Sequence, residues 1–593
     1  MQTVVHVTHE AIQKIGGIGA VLQGLLTSAV YLEKAKRNIL VGPFWPGEET
    51  GDRRLGPQGE VLYSSFDNLY RSPLAERFRE IEHTYDVNIV YGRRKFVDKT
   101  TGVTSVPEVL LIDVSRFDKN QIGIFKFDLW KNFGIDSSKY ENIWDFEQYM
   151  RLAKPAIAAL HALGVANSVS EPCVLLSHEY MGMPTALAAI MEADRSNFRT
   201  IFYAHEVATM RRIVEHSPGH DTMFYNVLRT ALAAGHFLED VFGDQSNYYK
   251  HALVKCARFC DGILAVGDYT LKEIRFLGPD FTTVDAQIAY NGVPCWRIDA
   301  AEKTRSRNLL RQYCKNLLKF EPDYVFSHVT RLVPSKGMWR DLRVLEHLEK
   351  HLRDRNETAV LYTLSTEVPA RRGDDIRRME QAYHWPVVHR EGLPDLSGGE
   401  AAYYQGVQEF NAQSRNVKVV FLNQFGFDAK TCGLRMPADM DFMDIRKGSD
   451  VEFGQSIYEP FGIAQVEPIS FGGICVFSEC CGCAGFVHKA AGGQPTPNVI
   501  VADYTDLPNK ALRPEQLLAI GQPQRDEIEN MVAKKVADEL IERLPRTPQQ
   551  FEEFIDRGHK LAEQMSWDAV ARDYVVPGIL RAAGAQRLKQ VVA

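Results

Sequence analysis

Two glutamates placed eight positions apart are the clearest candidates for chemistry in this sequence. Residues 458–467 read Tyr-Glu-Pro-Phe-Gly-Ile-Ala-Gln-Val-Glu, so Glu459 and Glu467 bracket a Pro-Phe-Gly turn. A strand-like segment precedes the turn, and 465–470 is predicted to be helical. Pro460 falls at or just before the first helical turn, where its missing N–H costs nothing. Glu459 then precedes the helix and Glu467 lies about two turns into it, so the two carboxylates would bind different hydroxyl groups of one ligand.

The same turn offers backbone hydrogen-bond donors. Phe461, Gly462 and Ile463 follow the proline. Free N–H groups at the start of a helix face a bound anion with the helix dipole behind them. We therefore expect the amides near Gly462 and Ile463 to contact a bound anion, with Phe461 in the same site. The alternative is a purely structural helix cap that carries this pattern by chance.

A glycine-rich turn near the N-terminus is a second candidate. The first predicted strand, 4–7, leads into Glu10, Lys14, Gly16 and Gly17. Glycines at a strand-to-helix turn let backbone amides approach a phosphate closely, and a lysine supplies a compact positive charge. Taken alone, the pattern fits equally well a tight turn with a surface lysine.

Basic residues follow two further predicted strands. Residues 330–337 read Thr-Arg-Leu-Val-Pro-Ser-Lys-Gly, which places Arg331 and Lys336 on a loop where they would pair with a diphosphate. His205 ends another strand, and Arg211 lies six positions after it. The alternatives are a solvated basic loop and a histidine that makes only structural hydrogen bonds.

These segments resemble the retaining, nucleotide-sugar-dependent glycosyltransferases, and among them the glycogen and starch synthases. Glu459 and Glu467 are similar to the E-x7-E element of that class. Glu10, Lys14 and the glycine pair resemble the E-x3-K-x-G-G-I segment of eukaryotic-type glycogen synthases. The segment 330–337 instead resembles the R-L-x-x-x-K-G element of bacterial glycogen synthases, since the eukaryotic type has one more residue there. The sequence therefore mixes features of two groups.

The resemblance implies an activity and a set of site residues. The activity is transfer of glucose, with retention of configuration, from ADP- or UDP-glucose to the non-reducing end of an α-1,4-glucan, without a metal ion or cofactor. It implies that Glu459 binds the glucose hydroxyls, that Glu467 binds the ribose diol and that His205 lies beside the transferred sugar. The residues expected to act in catalysis are His205, Arg331, Lys336 and Glu459. Those expected to bind substrate are Glu10, Lys14, Gly16, Gly17, Arg211, Phe461, Gly462, Ile463 and Glu467.

Two alternative functions stay open. One is another enzyme of the same fold, of the sucrose- or trehalose-synthase type, and the other is a catalytically silent glucan-binding protein. The sequence does not distinguish ADP from UDP as the donor nucleotide, and it reveals neither allosteric effectors nor the oligomeric state, so a homo-oligomer is left open. Arg371, Arg372, Arg377 and Arg378 form a cluster in a predicted insertion, which we interpret as a solvated face.

Short apolar runs alternate with longer helical stretches from 4–7 to 498–502. This alternation predicts an α/β protein with parallel sheets that carry helices on both faces. A turn signal at 291–294 precedes a fresh series of strands. We therefore predict two facing, doubly wound Rossmann-like domains, the arrangement called GT-B in the families that the chain resembles. The predicted boundaries are 1–294 for an acceptor-binding domain, 295–565 for a nucleotide-sugar-binding domain, and 566–593 for a C-terminal helix that crosses back over the junction.

Composition excludes several classes of protein. The chain has 593 residues, of which 45% are hydrophobic and 24% charged, with a formal net charge of −7. These values suit two or more globular domains and give no basic footprint for nucleic acid. The sequence contains no apolar run long enough for a membrane span and no signal-peptide pattern, so a cytoplasmic protein is expected. Cys480, Cys481 and Cys483 lack the second ligand pair of a structural zinc site, and no bound metal is expected.

Overall fold

The chain folds into two compact units. The computed structural model describes residues 3–12, 16–45, 47, 49–167, 172–192 and 197–585. Unit 1 comprises Met1–Met210, Leu232–Gly292 and Trp567–Ala593, and unit 2 comprises Arg211–Ala231 and Val293–Ser566. The segment Arg211–Ala231 thus packs with the C-terminal part of the chain, whereas the sequence pattern assigns it to 1–294.

Unit 1 contains a ten-stranded sheet. The strands follow the order β12-β11-β10-β9-β1-β2-β8-β5-β3-β4, and those from β12 to β8 are parallel. Strands β5, β3 and β4 extend one edge in antiparallel fashion, and β6 pairs separately with β7. The strands are β1 (Thr3–Val7), β2 (Arg37–Pro43), β3 (Gly59–Ser64), β4 (Leu69–Tyr70), β5 (Asn88–Arg94), β6 (Phe96–Val97), β7 (Thr104–Ser105), β8 (Glu108–Asp113), β9 (Cys173–His178), β10 (Phe198–Ala204), β11 (Gly262–Ala265) and β12 (Ala286–Ile288).

Unit 2 contains a six-stranded parallel sheet in the order β15-β14-β13-β16-β17-β18. The strands are β13 (Tyr324–Val329), β14 (Ala359–Leu364), β15 (Val417–Leu422), β16 (Val451–Gly454), β17 (Ile474–Ser478) and β18 (Val499–Ala502). Every residue of β14 is buried, as expected for a strand covered by helices on both faces. The strand order reverses between β13 and β16, and an open α/β sheet binds its ligand at the carboxyl ends of such a pair.

Helices cover both sheets, so the predicted α/β class with two Rossmann-like units is confirmed. They are α1 (Gly17–Leu25), α2 (Ala29–Lys34), α3 (Ala75–Tyr85), α4 (Lys119–Phe133), α5 (Trp144–Ala162), α6 (Glu179–Met191), α7 (Ala208–His216), α8 (His220–Ala233), α9 (Leu238–Phe242), α10 (Tyr249–Lys255), α11 (Asp268–Phe276), α12 (Ala300–Leu318), α13 (Trp339–Arg355), α14 (Gly373–Tyr383), α15 (Gly398–Gln413), α16 (Phe442–Gly448), α17 (Ile463–Val466), α18 (Gly482–Ala490), α19 (Pro514–Leu518), α20 (Gln522–Arg543), α21 (Pro548–Gln564), α22 (Trp567–Val570) and α23 (Val576–Gly584). Within the described ranges, no helix has both the length and the hydropathy required to cross a membrane.

The C-terminal segment packs on unit 1 through an aromatic side chain. A Cβ added to Gly24 would lie 2.1 Å from the Trp567 ring, and one added to Gly292 would lie 2.5 Å from it. The neighbouring Asp568 accepts a hydrogen bond of 2.5 Å from the Ser28 hydroxyl. Both glycines are therefore required by the close approach of the indole.

The arginine cluster in unit 2 divides into two kinds of environment. Arg377 and Arg378 form ion pairs with aspartates three positions earlier on exposed α14, as expected for a solvated face. Arg371 is buried instead, and its guanidinium lies 2.5 Å from a carboxylate oxygen of Glu400. The interpretation as a solvated face is wrong for Arg371, because the loop before α14 folds inward onto α15.

A buried arginine joins three helices of unit 2. Arg340 on α13 is fully buried; its Nη2 lies 2.6 Å from Asp221 Oδ1 and its Nε 2.9 Å from Glu529 Oε1. The guanidinium also stacks on Tyr504, at 3.7 Å from the ring centroid. Its backbone N–H donates to Gly337, so the network fixes the start of α13 and the loop that carries Lys336.

We expect Asp221→Asn to lower the free energy of unfolding of unit 2 by about 3 kcal/mol or more, because it leaves part of a buried guanidinium charge uncompensated. Asp374→Asn is the matched control, since it disrupts an exposed ion pair and should leave stability unchanged. Urea unfolding followed by circular dichroism measures both. Equal stabilities of the two variants would contradict the role given to the network.

Candidate active site

The two loops that follow β13 and β16 meet in unit 2. Lys336 Nζ forms an ion pair with Glu459 Oε2, although the two residues are 123 positions apart in sequence. Both side chains are mostly buried but keep some exposure. The structure thus brings together two of the residues that the sequence nominates independently.

Backbone contacts hold these loops in register. The amides of Ile457 and Tyr458 both donate to the Ser335 carbonyl, at 2.8 and 3.2 Å. Gly337 adopts a left-handed conformation with φ of 58°, and a Cβ there would lie 2.7 Å from the Gln455 carbonyl oxygen. The position of Lys336 is therefore set by the backbone of both loops rather than by its own flexible side chain.

Two arginines lie on or beside the same loop. Arg331 is exposed, and no side-chain partner is recorded for it in the part of the chain that the structure describes. Arg211 Nη2 lies 3.4 Å from Ser335 Oγ, and its guanidinium lies 5.9 Å from the Tyr458 ring centroid. Arg211 thus joins this cluster within unit 2.

Glu467 is held by a buried cation. Arg446 is fully buried; its Nε lies 2.9 Å from Glu467 Oε2 and its Nη1 lies 3.0 Å from Glu452 Oε2. Burial lowers the pKa of Arg446, but the two carboxylates outweigh this and raise it above its ordinary value. Arg446 therefore fixes the position of one carboxylate oxygen of the partly exposed Glu467.

The helix between the two glutamates is shorter than predicted. Helix α17 has four residues, and a 3₁₀ segment (Glu467–Phe471) replaces the rest of the expected 465–470 helix. Pro468 explains the change, because it supplies no N–H for an α-helical hydrogen bond. Glu467 consequently follows a single helical turn, and the dipole behind Ile463 is small. The positive charge near this turn therefore comes from the side chains of the neighbouring loop rather than from the helix dipole.

The start of α18 holds the turn in place through two backbone hydrogen bonds. Gly482 N donates to the Glu459 carbonyl at 3.0 Å, and Cys483 N donates to the Phe461 carbonyl at 2.9 Å. Gly462 has a φ of 93°, and a Cβ on it would lie 2.4 Å from Gln465 Oε1, so a glycine is required at this position.

Three buried thiols lie against this turn. Cys480, Cys481 and Cys483 are free, and Cys480 Sγ donates to the Ser456 carbonyl at 3.5 Å. Contact with Cys481 and burial raise the pKa of the Cys480 thiol. The thiols pack as small residues behind the glutamates, and among the described residues no group of His, Cys, Asp or Glu is arranged to hold a metal ion.

In unit 1, Glu10 binds the glycine-rich turn itself. Its Oε2 accepts hydrogen bonds from Gly16 N at 2.8 Å and from Gly19 N at 2.9 Å. These two amides are therefore occupied by a carboxylate, whereas Gly17, at the start of α1, has open space beside its Cα. Lys14 lies outside the described residues.

His205 stands at the carboxyl end of β10. Its Nε2 lies 2.8 Å from His178 Nδ1, and the two rings are nearly parallel. Burial, together with the nearby His6 and His9, lowers the pKa of His205 to about 3. His205 is therefore a neutral imidazole at physiological pH.

Glu179 and His6 belong to this cluster and were missed as functional candidates in the sequence. Glu179 begins α6 with a left-handed φ of 59°, and its Oε1 accepts a hydrogen bond of 2.5 Å from Glu206 N. Burial and the Glu206 charge raise its pKa well above the ordinary value. Glu179 thus holds the loop after His205. The sequence signal for His6 was a histidine inside the buried first strand.

The buried histidines give unit 1 a distinct pH dependence. Burial lowers the pKa of His6 and His205 to about 3 and that of His178 well below its ordinary value. Unfolded histidine binds a proton below about pH 6.5, so the unfolded chain binds more protons and acid destabilises the fold. His6→Gln should reduce the dependence of the unfolding free energy on pH by about 1.4 kcal/mol per pH unit at about pH 5, and by about half of that at about pH 6.5.

Urea unfolding at several values between about pH 5 and about pH 6.5 measures this slope. His83→Gln, on the exposed face of α3, is the control for the substitution itself. A slope for His6→Gln that equals the wild-type slope would show that His6 binds its proton in the folded protein too.

Comparisons with known proteins bear on the fold. No family model matches the sequence, and no curated protein matches it. The catalytic domain of starch synthase IV from Arabidopsis thaliana, bound to ADP and acarbose, is similar with a TM-score of 0.53 at 14% identity, over 98% of this chain and 99% of that one. UDP-forming α,α-trehalose-phosphate synthase from Burkholderia xenovorans gives 0.48 at 11% identity, over 99% and 100%. The Burkholderia multivorans trehalose 6-phosphate synthase gives 0.47 at 14%, over 98% and 99%.

Identities this low are informative about the fold alone. The chain has the fold of the starch synthase IV catalytic domain, and the resemblance to GT-B glycosyltransferases in the sequence is confirmed at that level.

Proposed function

We propose that the protein is a retaining glucosyltransferase that moves glucose from ADP- or UDP-glucose to the non-reducing end of an α-1,4-glucan. The observation that carries the proposal is the ion pair of Lys336 and Glu459. It joins the two motifs of the nucleotide-sugar-dependent class, at the carboxyl ends of β13 and β16 where an open sheet binds its ligand.

The proposed chemistry needs positive charge on the leaving group. As the bond from the anomeric carbon to the diphosphate breaks, negative charge grows on the diphosphate, and fixed cations lower the energy of that state. Arg331 and Lys336 supply these cations, with Arg211 beside the same loop. No metal ion or cofactor takes part in this scheme.

Glu459 and Lys336 exchange partners when the donor binds. In the structure the lysine neutralises the carboxylate. A diphosphate competes for the lysine, which frees Glu459 to accept hydrogen bonds from the glucose hydroxyls. Donor binding and carboxylate activation are thereby coupled through one ammonium group.

Glu467 has the features of a ribose-binding residue. Arg446 holds its Oε2 at 2.9 Å, while the side chain keeps some exposure. An ionised carboxylate accepts hydrogen bonds only, which suits the two hydroxyls of a ribose diol. In unit 1, we assign contact with substrate to His205, and phosphate contact to Gly17 and Lys14.

A donor and acceptor screen tests the proposed activity. Release of nucleoside diphosphate is measured from ADP- and UDP-glucose with glycogen, maltooligosaccharides, glucose 6-phosphate or fructose as the acceptor. Glucan-dependent release with elongated products supports the proposal. Release that requires glucose 6-phosphate or fructose would replace it with a disaccharide-forming activity, and glucan binding without any release would indicate a catalytically silent protein.

We expect Arg331→Ala and Lys336→Ala to lower kcat by about 10²-fold or more, because each removes a cation from the leaving group. Arg331→Ala is the cleaner variant, since Lys336→Ala also unpairs Glu459. Arg372→Ala, which removes an exposed arginine elsewhere in unit 2, is the matched control and should leave kcat unchanged. Near-normal turnover in both test variants would refute the phosphate assignment.

We expect Glu459→Gln to lower kcat strongly with little change in donor KM, and Glu467→Gln to raise donor KM and weaken binding of the free nucleoside diphosphate. Hydrogen bonds to a charged group contribute about 1.5–3 kcal/mol each, which sets the scale of both losses. Calorimetry with the diphosphate separates the two variants. Loss of diphosphate affinity in Glu459→Gln alone would mean that the roles are reversed.

A further inference from the structure

Five polar side chains form one continuous hydrogen-bonded chain through the core of unit 1. Asn38 Oδ1 lies 3.0 Å from Tyr31 Oη, and Tyr31 Oη lies 2.9 Å from His6 Nε2. His6 Nδ1 lies 3.0 Å from His178 Nε2, and His178 Nδ1 lies 2.8 Å from His205 Nε2. The first four side chains are buried and His205 is partly exposed, so the chain runs from the interior to the end of β10.

Asn38, at the buried end, determines which atom donates in each of these hydrogen bonds. Asn38 Nδ2 donates to the Ala35 carbonyl at 2.9 Å, and a carbonyl oxygen only accepts, so the amide orientation is fixed and Oδ1 faces Tyr31. Tyr31 must then donate its hydroxyl proton to Asn38. The phenol oxygen is left as an acceptor toward His6, whose Nε2 must carry a proton.

The same order of donor and acceptor continues through the three histidine rings. A neutral imidazole has one N–H and one bare nitrogen, so a proton on His6 Nε2 leaves His6 Nδ1 bare. His178 Nε2 must donate to that bare nitrogen, and His178 Nδ1 is then bare in turn. His205 Nε2 donates to it, which leaves His205 Nδ1 as a hydrogen-bond acceptor. Burial keeps the rings neutral, with the pKa of His6 and His205 lowered to about 3.

We propose that Asn38, Tyr31, His6 and His178 are positioning residues that fix the tautomer of His205, so that His205 presents a bare Nδ1 to accept a hydrogen bond from a substrate hydroxyl. The part concerning substrate rests on the proposed function, whereas the tautomer does not. A neutral acceptor at this position stabilises a hydroxyl group without placing a positive charge beside a sugar that itself becomes cationic in the transition state.

Nitrogen-15 NMR of histidine-labelled protein measures the tautomers directly. The ring signals are assigned with His6→Gln, His178→Gln and His205→Gln, each of which removes one set. We expect all three rings to be protonated at Nε2 and bare at Nδ1 in the wild type near neutral pH. A proton on Nδ1 of any of them overturns the proposal.

Tyr31→Phe tests whether the Tyr31 hydroxyl, near the buried end, controls the tautomer of His205. The variant removes the hydroxyl that accepts from His6 Nε2, so Tyr31 no longer imposes the order of donors. We expect a mixture of His205 tautomers and a kcat lower by about tenfold, with donor KM nearly unchanged. Tyr362→Phe is the control, because it loses one buried hydrogen bond, of 2.9 Å to the Leu310 carbonyl, in unit 2.

The outcomes separate this proposal from the proposed function. A single His205 tautomer in Tyr31→Phe, with kcat equal to that of Tyr362→Phe, overturns the proposal whatever reaction the enzyme catalyses. Wild-type protein that shows the three Nε2–H tautomers but transfers glucose from neither donor supports the hydrogen-bonded chain and refutes the proposed function. If Tyr31→Phe does not fold, the wild-type spectrum alone decides the tautomer.

Discussion

Two strands that are neighbours in the second sheet, β13 and β16, are separated in sequence by β14 and β15. The chain therefore leaves β13 toward one side of the sheet and leaves β16 toward the other, and the loops that follow frame an open crevice. Arg331 and Lys336 lie on the first loop, and Glu459 lies on the second. The contact of Lys336 with Glu459 depends on that topology, since nothing in the local sequence of either loop would bring these two residues together.

The proposed anion site contains a pair of glutamates. Two unpaired carboxylates would repel a diphosphate. Each instead contacts a cation: Glu459 contacts Lys336, and Glu467 contacts the buried Arg446, which it shares with Glu452. The carboxylates can then act as hydrogen-bond acceptors beside these cations, and the exposed guanidinium of Arg331 adds a positive charge to the same loop as Lys336.

Much of the fold could be predicted because long apolar runs alternate with helical stretches, and the predicted strands are present in both sheets. The helix at Glu467 is shorter than the sequence predicts, since Pro468 permits a helical pattern but removes a backbone hydrogen bond. Arg371 looked solvated because the sequence does not show which loop folds inward. His6 gave only a weak signal, since its partners Tyr31 and His178 lie 25 and 172 positions away and meet it only in the folded sheet.

The indole of Trp567 fills the space left by Gly24 and Gly292, yet it is synthesised after all of unit 2. Domains usually fold in the order in which the ribosome releases them. Here unit 1 lacks part of its packing until the segment that begins at Trp567 has been synthesised. Unit 2 needs, besides its own continuous stretch, only Arg211–Ala231, which is synthesised earlier. Nascent chains should accordingly complete the second unit first, and a premature stop before residue 567 would release a protein whose first unit is unfinished.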